Sequence, residues 1–340
     1  MFSLCSPFKS IDAWGIIYFT PSLKSAIIVT SQRGYAMSKS TISIFQLFEM
    51  IPDQETARKV LESRLWPNGP RCPVCGLGER ITARKGGFYR CNQCKEDFTV
   101  RTGTIFERSH VPLHKWIYAM YLMVTARKGI SSMQLAKEIG VTQKTAWFML
   151  GRLREACGTD LGKLSGVVEI DEAYFGGQEK NKHEHKRTHV QHGPAGKTIV
   201  LGMKERGGRT KAMHIAQADG RTLFPAIYRN VEAGSTIHTD EYRAYRGLGW
   251  SFKHETINHH AGEYVRDDVT TNSVEAVWAV LKRGIYGTFH HVSEKHIDRY
   301  LNEFTFRLNQ GNVERHTLQR LESFVDGTTG KRLTYKALIG

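Results

Sequence analysis

Hydrophobic and polar positions follow two different periods along this chain. Over residues 53–65 (Asp-Gln-Glu-Thr-Ala-Arg-Lys-Val-Leu-Glu-Ser-Arg-Leu) apolar residues recur at helical spacing, and Asp53 stands where an N-cap belongs. Residues 112–128 predict a second helix carrying Trp116, Tyr118, Tyr121 and Leu122. Ser131 or Ser132 then opens a short helix with Leu135, Ala136 and Ile139. Gly140-Val141 makes a tight turn, and Thr142 caps a helix with Ala146, Met149, Leu150 and Leu153. Helix, short turn and helix give the helix-turn-helix layout. It places Gln143, Lys144 and Thr145 where a recognition helix meets base edges.

From residue 166 the period becomes that of strands. An apolar run, Val167-Val-Glu-Ile170, leads into Asp171 and ends at Gly176-Gly177. Lys197–Met203 and Arg209–Ala216 read as strands around the turn Arg206-Gly207-Gly208. Ser235–Thr239 and Trp250–Asn258 add further strands, and Asp219–Asn230, Asn272–Ile285 and Ser293–Asn309 read as helices. The order βββαβ(β)αα describes a mixed α/β sheet with helices packed on it. Residues 178–197 are polar and basic and read as a long loop.

The chain thus divides into a helical lead-in and cysteine-rich segment (37–105), the helix-turn-helix region (106–160), an α/β domain (161–312) and a C-terminal helical tail (313–340). Residues 1–36 are poorly patterned. We read them as an upstream extension with Met37 as the start; an accessory arm is the alternative.

Charge changes this picture. Lys and Arg total 48 against 33 Asp and Glu, giving +15 at pH 7, and the pI is about 9.6. That balance favours a polyanionic partner, nucleic acid by default. Hydrophobic content of 40% excludes global disorder. Mean hydropathy is −0.39, and no apolar stretch approaches the roughly 18 residues of a membrane span. Gly15–Thr30 is interrupted by Pro21 and Lys24 and does not read as a signal peptide. A cytoplasmic, nucleoid-associated protein is expected.

Four of the six cysteines form Cys72-Pro-Val-Cys75 and Cys91-Asn-Gln-Cys94, with 15 residues between the pairs. This is the spacing of a structural zinc site. Four thiolates close a tetrahedral shell and leave no open position for chemistry. Cys5 and Cys157 read as isolated free thiols. Between the pairs, Arg84, Lys85, Phe88, Tyr89 and Arg90 give a basic, aromatic hairpin suited to phosphate contact and base stacking.

Two aspartates, Asp171 and Asp240, are expected at strand ends, and Glu275 one turn inside a helix capped by Thr271 or Asn272. Three carboxylates from two strands and a helix can hold two divalent cations about 4 Å apart. Magnesium suits such an all-oxygen site. Without a cation the carboxylates would repel one another. Glu172 and Glu241 are rival ligands, but neighbours on a strand point to opposite faces. Lys282 lies two turns beyond Glu275 on the same helix face. The histidines of 178–197 (His183, His185, His189, His192), with His254, His259 and His260, read as parts of flexible basic loops that meet DNA backbone rather than as a second zinc site.

Asp171-Glu-Ala-Tyr-Phe-Gly-Gly177, Thr239-Asp-Glu-Tyr-Arg-Ala-Tyr245 and Asn272-Ser-Val-Glu-Ala-Val-Trp-Ala-Val-Leu-Lys282-Arg283 resemble the DDE transposases of bacterial insertion sequences, in the subgroup with an N-terminal zinc ribbon. Leu65–Cys75, Gly287–His296 and Tyr300–Asn309 are similar to the same family. The resemblance implies an RNase H-like catalytic core in which Asp171, Asp240 and Glu275 bind two Mg²⁺ or Mn²⁺ ions. It implies strand cleavage at terminal inverted repeats and transfer of the freed 3′-OH to target DNA. It also implies Lys282 and Arg283 on DNA phosphate, Asn272 as a rival to Glu275, and a homodimer or larger assembly on DNA. The chain departs from the family at Thr270-Thr271, where a histidine is expected before the Asn, and at Gln310-Gly-Asn312, where a basic residue is expected after Asn309. The alternative function is an inactive or domesticated copy acting as a zinc-dependent DNA-binding regulator.

Overall fold

The structure is a computed structural model that describes residues 41–177, 183–184 and 196–340. The upstream segment 1–36 and the loop histidines His185, His189 and His192 lie outside the described residues. Helix α1 (Ile44–Met50) opens with a capping box between Ser43 and Gln46. Helix α2 (Gln54–Leu65) starts at Asp53, whose carboxylate accepts from Thr56 N at 2.7 Å. Strands β1 (Ile81–Ala83), β2 (Tyr89–Cys91) and β3 (Asp97–Phe98) form a small antiparallel sheet. Helix α3 (Leu113–Thr125) follows. Helix α4 (Ser132–Ile139) is capped by Ser131 and ends at Gly140, whose φ of 62° a side chain would resist. Thr142 caps α5 (Gln143–Cys157).

The second half comprises β4 (Val167–Phe175), β5 (Thr198–Glu205), β6 (Thr210–Ile215), α6 (Gly220–Asn230), β7 (Thr236–Asp240), β8 (Lys253–Ile257), α7 (Asn272–Gly284), α8 (Ile297–Leu308), α9 (Thr317–Asp326) and α10 (Tyr335–Ile339). The sheet order is β6-β5-β4-β7-β8. β4, β5 and β6 form an antiparallel meander, and β7 runs parallel to both β4 and β8. The β4 pleat sorts its side chains by face. Val168 and Ile170 pack with Leu223, Ile227 and Tyr245 on the α6 side. Ala173 and Phe175 pack with Val274, Trp278 and Leu281 of α7 and with Leu301 and Phe304 of α8. The Asn309 side chain bonds both Thr210 N and Thr210 O at 2.8 Å, so the edge strand β6 is partly covered.

Helices α1 to α5 share one apolar cluster with α9, which contributes Leu318, Leu321, Phe324 and Val325. A buried charged triad ties α5 to α8. Arg154 Nε donates to Glu303 Oε2 at 2.6 Å, and Arg307 donates to Glu303 Oε1; the side chains of Arg154 and Glu303 are 3% and 1% exposed. Burial alone would raise the Glu303 carboxyl, but Arg307 and Arg154 hold it below its ordinary value. Its contribution is therefore present above the ordinary glutamate pKa and lost as pH falls through the lower, folded value. Glu303→Gln leaves buried guanidinium charge uncompensated and is expected to cost about 3–5 kcal/mol at neutral pH. Urea denaturation should show that gap narrowing toward acid; equal stability at pH 7 would refute it.

Candidate active site and metal centre

The zinc centre is built by two matching turns. In each, the residue after the second cysteine has a left-handed backbone: Gly76 at φ 74° and Lys95 at φ 57°. Gly76 N bonds Cys72 O at 2.9 Å and Cys91 N bonds Glu96 O at 3.0 Å, which folds each pair of thiols inward. Cys72 Sγ lies 3.4 Å from Cys94 Sγ, and Cys75 Sγ lies 3.6 Å from Cys91 Sγ. All four sulfurs fall within 4.8 Å of one another. A tetrahedral ion with metal–sulfur bonds of ~2.3 Å needs sulfur–sulfur edges of about 3.8 Å, so the set fits zinc. Tyr89 stacks on Phe98 at 5.6 Å and meets Trp66 edge-on, covering the site, whereas Phe88 is exposed.

The carboxylates gather where two strands part. The β4–β7 ladder runs Val167↔Thr236, Val168↔Ile237 and Glu169↔His238 and then stops, although both strands continue. Two residues further along, Asp171 and Asp240 flank the opening. Asp171 is therefore not at a strand end, as the sequence pattern suggested. β4 runs on to Phe175 because β5 keeps pairing with it as far as Phe175↔Thr198. The opening sits at the topological switch point, with β5 on one side of β4 and β7 on the other.

Each carboxylate is held by a specific donor. Trp278 Nε1 donates to Asp171 Oδ2 at 2.8 Å. Tyr242 N donates to Asp240 Oδ1 at 3.0 Å. Thr271 Oγ1 donates to Glu275 Oε1 at 3.0 Å, and His259 Nε2 lies 3.6 Å from that oxygen. Burial, reinforced by Asp240 and Glu275, pushes Asp171 up to about 6, against the opposing indole hydrogen bond. A bound cation would offset both the burial of this charge and the smaller repulsion from its neighbours. Among the described residues the four cysteines are the one group whose ligand atoms all lie within 4.8 Å. An all-oxygen set of this kind would suit hard divalent cations.

Glu172 points to the opposite, α6 face, as its strand position requires. Burial, with Asp171 and Asp240 nearby, pushes its carboxyl up to about 7 against the opposing Tyr245 hydroxyl. Glu241 accepts from His259 N at 3.0 Å. Thr271 and Asn272 do not cap α7 with their side chains. The cap comes from across the sheet. Glu169, fully buried, accepts from Ser273 N at 2.7 Å and Val274 N at 3.2 Å, and from Ser273 Oγ and Arg206 at 3.1 Å each. A carboxylate satisfies first-turn amides and complements the helix dipole more strongly than a neutral cap. Glu169 and Asp171 lie two strand residues apart, about 6.8 Å, close to the rise of about 7.5 Å from Ser273 to Trp278 on the helix. Gly202 stands opposite Asp171 in the β4–β5 ladder. A Cβ there would lie 2.4 Å from the Trp278 ring, so the glycine makes room for the indole.

No local pattern in the sequence ties Glu169 or Trp278 to the site, and His259, expected in a loop, stands in a short 3₁₀ turn beside Glu275. His254 is not in a loop either: it lies on β8, and its Nε2 bonds Thr239 Oγ1 at 2.9 Å. Lys282 and Arg283 are exposed on the last turn of α7, and Asn272 is exposed at its start. On the ribbon, Arg84 and Arg90 both pair with Asp97 at 3.3 Å, while Lys85 is exposed. At the start of α5, Gln143 Nε2 bonds Ser132 Oγ at 2.9 Å, Lys144 Nζ sits 5.0 Å from the Tyr335 ring, and Thr145 takes part in the cap.

Residues 163–309 match the ISXO2-like transposase domain, and residues 52–97 match the transposase zinc-ribbon domain. An uncharacterized protein in transposable element ISH50 of Halobacterium salinarum is 30% identical over 270 residues, 75% of this chain and 90% of that protein. An uncharacterized transposase-like protein of Haemophilus influenzae is 28% identical over 101 residues, 29% of this chain and 80% of that one. Among solved structures, a simian T-cell lymphotropic virus intasome in complex with PP2A regulatory subunit B56 gamma covers 55% of this chain and 68% of its own, at 13% identity and a TM-score of 0.27, too distant to carry an argument. The ribbon, the mixed sheet and the length of the ISH50 match place the chain in the family of insertion-sequence transposases with an ISXO2-like transposase domain behind a zinc ribbon.

Proposed function

We propose that the protein is a DDE transposase that cleaves DNA at the terminal inverted repeats of its element and transfers the freed 3′ ends to target DNA. The observation that carries this reading is the grouping of Asp171, Asp240 and Glu275 around the opening between β4 and β7. The sheet order, an antiparallel meander continued by two parallel strands, supports an RNase H-like core. Asp171, Asp240 and Glu275 would hold two Mg²⁺ or Mn²⁺ ions. When bound, such a pair activates the attacking oxygen and stabilises the leaving one. The chain's own residues orient the ligands: the Trp278 indole fixes Asp171, the Tyr242 amide fixes Asp240, and the Thr271 hydroxyl occupies one oxygen of Glu275. Lys282 and Arg283 extend the exposed stripe of α7 toward DNA phosphate. The α4–α5 pair and the ribbon, with Gln143, Lys144, Thr145, Arg84, Lys85 and Arg90, bind the repeats. Pairing of two ends requires at least a dimer on DNA.

Mn²⁺ titration of the DNA-bound protein, followed by calorimetry or spin resonance, is expected to give two sites per chain. Asp171→Asn should weaken Mn²⁺ binding, because it removes one of the three carboxylates that would hold the ions. Unchanged Mn²⁺ binding in that variant would refute the assignment.

A further inference from the structure

A cleft of about 320 Å³ opens between α4, α5 and the segment that joins α7 to α8. Its walls include Ser132 and Met133 at the start of α4, Trp147 of α5, and Thr288 and Phe289. Among the described residues no Asp or Glu lines it. Arg154 does line it, and Arg154 is 3% exposed. Its Nε is committed to Glu303, and its guanidinium lies 3.8 Å from the Tyr300 ring centroid. Its Nη2 is buried with no hydrogen-bond partner.

Charge does not balance here. One carboxylate, Glu303, serves both Arg154 and Arg307, so one buried positive charge is left over. A buried, unsatisfied guanidinium donor is costly, and an anionic acceptor removes that cost. The start of α4 adds the partial positive charge of a helix N-terminus. Aromatic and hydroxyl walls with no carboxylate among the lining residues suit a phosphate oxyanion, and a protein of net charge +15 meets that chemistry most readily in nucleic acid.

We propose that this cleft takes a backbone phosphate of the bound DNA and anchors the strand between the helix pair and the sheet domain. The proposal rests on the DNA-binding reading given above. It assigns a phosphate contact to a cleft outside the carboxylate site, beside the start of α5, where Gln143 bonds the cleft residue Ser132.

The test compares charge at constant shape on both walls. Met133 is 60% exposed, and Thr288 is half-buried. Met133→Glu is set against Met133→Gln, and Thr288→Asp against Thr288→Asn. The affinity of the full chain for a duplex carrying the flanking inverted repeat is measured as a function of KCl concentration. Each acidic variant is expected to lower the salt slope by about 1 relative to its neutral counterpart, the mark of one lost phosphate contact. Duplexes carrying single methylphosphonates should include one position that weakens binding of the neutral variants and leaves the acidic ones unchanged. Equal slopes within both pairs, an effect confined to Met133, or the absence of such a position would overturn the cleft assignment. A wild-type chain that binds and cleaves the duplex while the pairs stay equal defeats this inference alone. A wild type that binds no DNA defeats the reading beneath it as well.

Discussion

Glu169→Ala is expected to lower stability by about 3–5 kcal/mol and to remove most strand cleavage. The stability estimate follows from deleting the acceptor of a buried, charge-assisted network. Ser273 N and Val274 N lose their partner, Ser273 Oγ loses its acceptor, and Arg206 loses its ion pair. Buried amides left unsatisfied cost about 1–3 kcal/mol each. The effect on cleavage follows from position, because Glu275 lies in the same first turn that Glu169 holds against β4. Asp240→Asn provides the contrast: it should abolish cleavage with little loss of stability. Glu169→Gln keeps one acceptor oxygen and should fall between alanine and wild type. Urea denaturation and cleavage measured on the same preparations decide the matter. Wild-type values for both in Glu169→Ala would show that the cap does not position the helix.

Removing zinc is expected to unfold the ribbon and leave the sheet domain folded. The apolar cluster beneath the ribbon consists of Cys72, Cys91 and Phe98, with Trp66, Ile81, Tyr89 and Cys94 against it. So small a core cannot offset the conformational entropy of its loops. Structural zinc supplies apparent binding free energies of about 10–16 kcal/mol in comparable modules, and that energy is folding energy. The ribbon also leans on α2: Tyr89 donates to Glu62 at 3.1 Å, and Trp66 packs edge-on against Phe98. Loss of metal should therefore loosen that contact too. One equivalent of zinc released by chelator, with proteolysis appearing between residues 67 and 100 and the 163–309 region resistant, is the expected result. A ribbon that stays protease-resistant without metal would contradict it.

How much of this was legible in the sequence depends on separation along the chain. Caps and turns are local, so Asp53, Gly140 and Thr142 can be read from a few neighbours, as can the choice between Ser131 and Ser132, which the structure settles on Ser131. The cysteine pairs were legible because metal geometry restricts their spacing. The helix carrying Glu275 was legible from its apolar face, but not how it is held. Glu169 reaches Ser273 across 104 residues, and Trp278 reaches Asp171 across 107. Both contacts depend on which strand face meets which helix, and no local pattern encodes that. The same limit hid the divergence of β4 from β7: an apolar run shows where a strand forms, not where one of its two neighbours leaves it. Glu169 has a sequence signal, as the one charged residue inside the apolar run Val167–Ile170.

The most direct measurement is strand cleavage and joining on a labelled duplex carrying the flanking inverted repeat, in Mg²⁺, with Asp240→Ala and Glu275→Ala beside the wild type. The wild type is expected to nick at the element end and transfer the 3′ strand, and either variant to lose both reactions while DNA binding persists. Tight, salt-sensitive binding by the wild type with no cleavage in Mg²⁺ or Mn²⁺, or cleavage surviving in either variant, would contradict it.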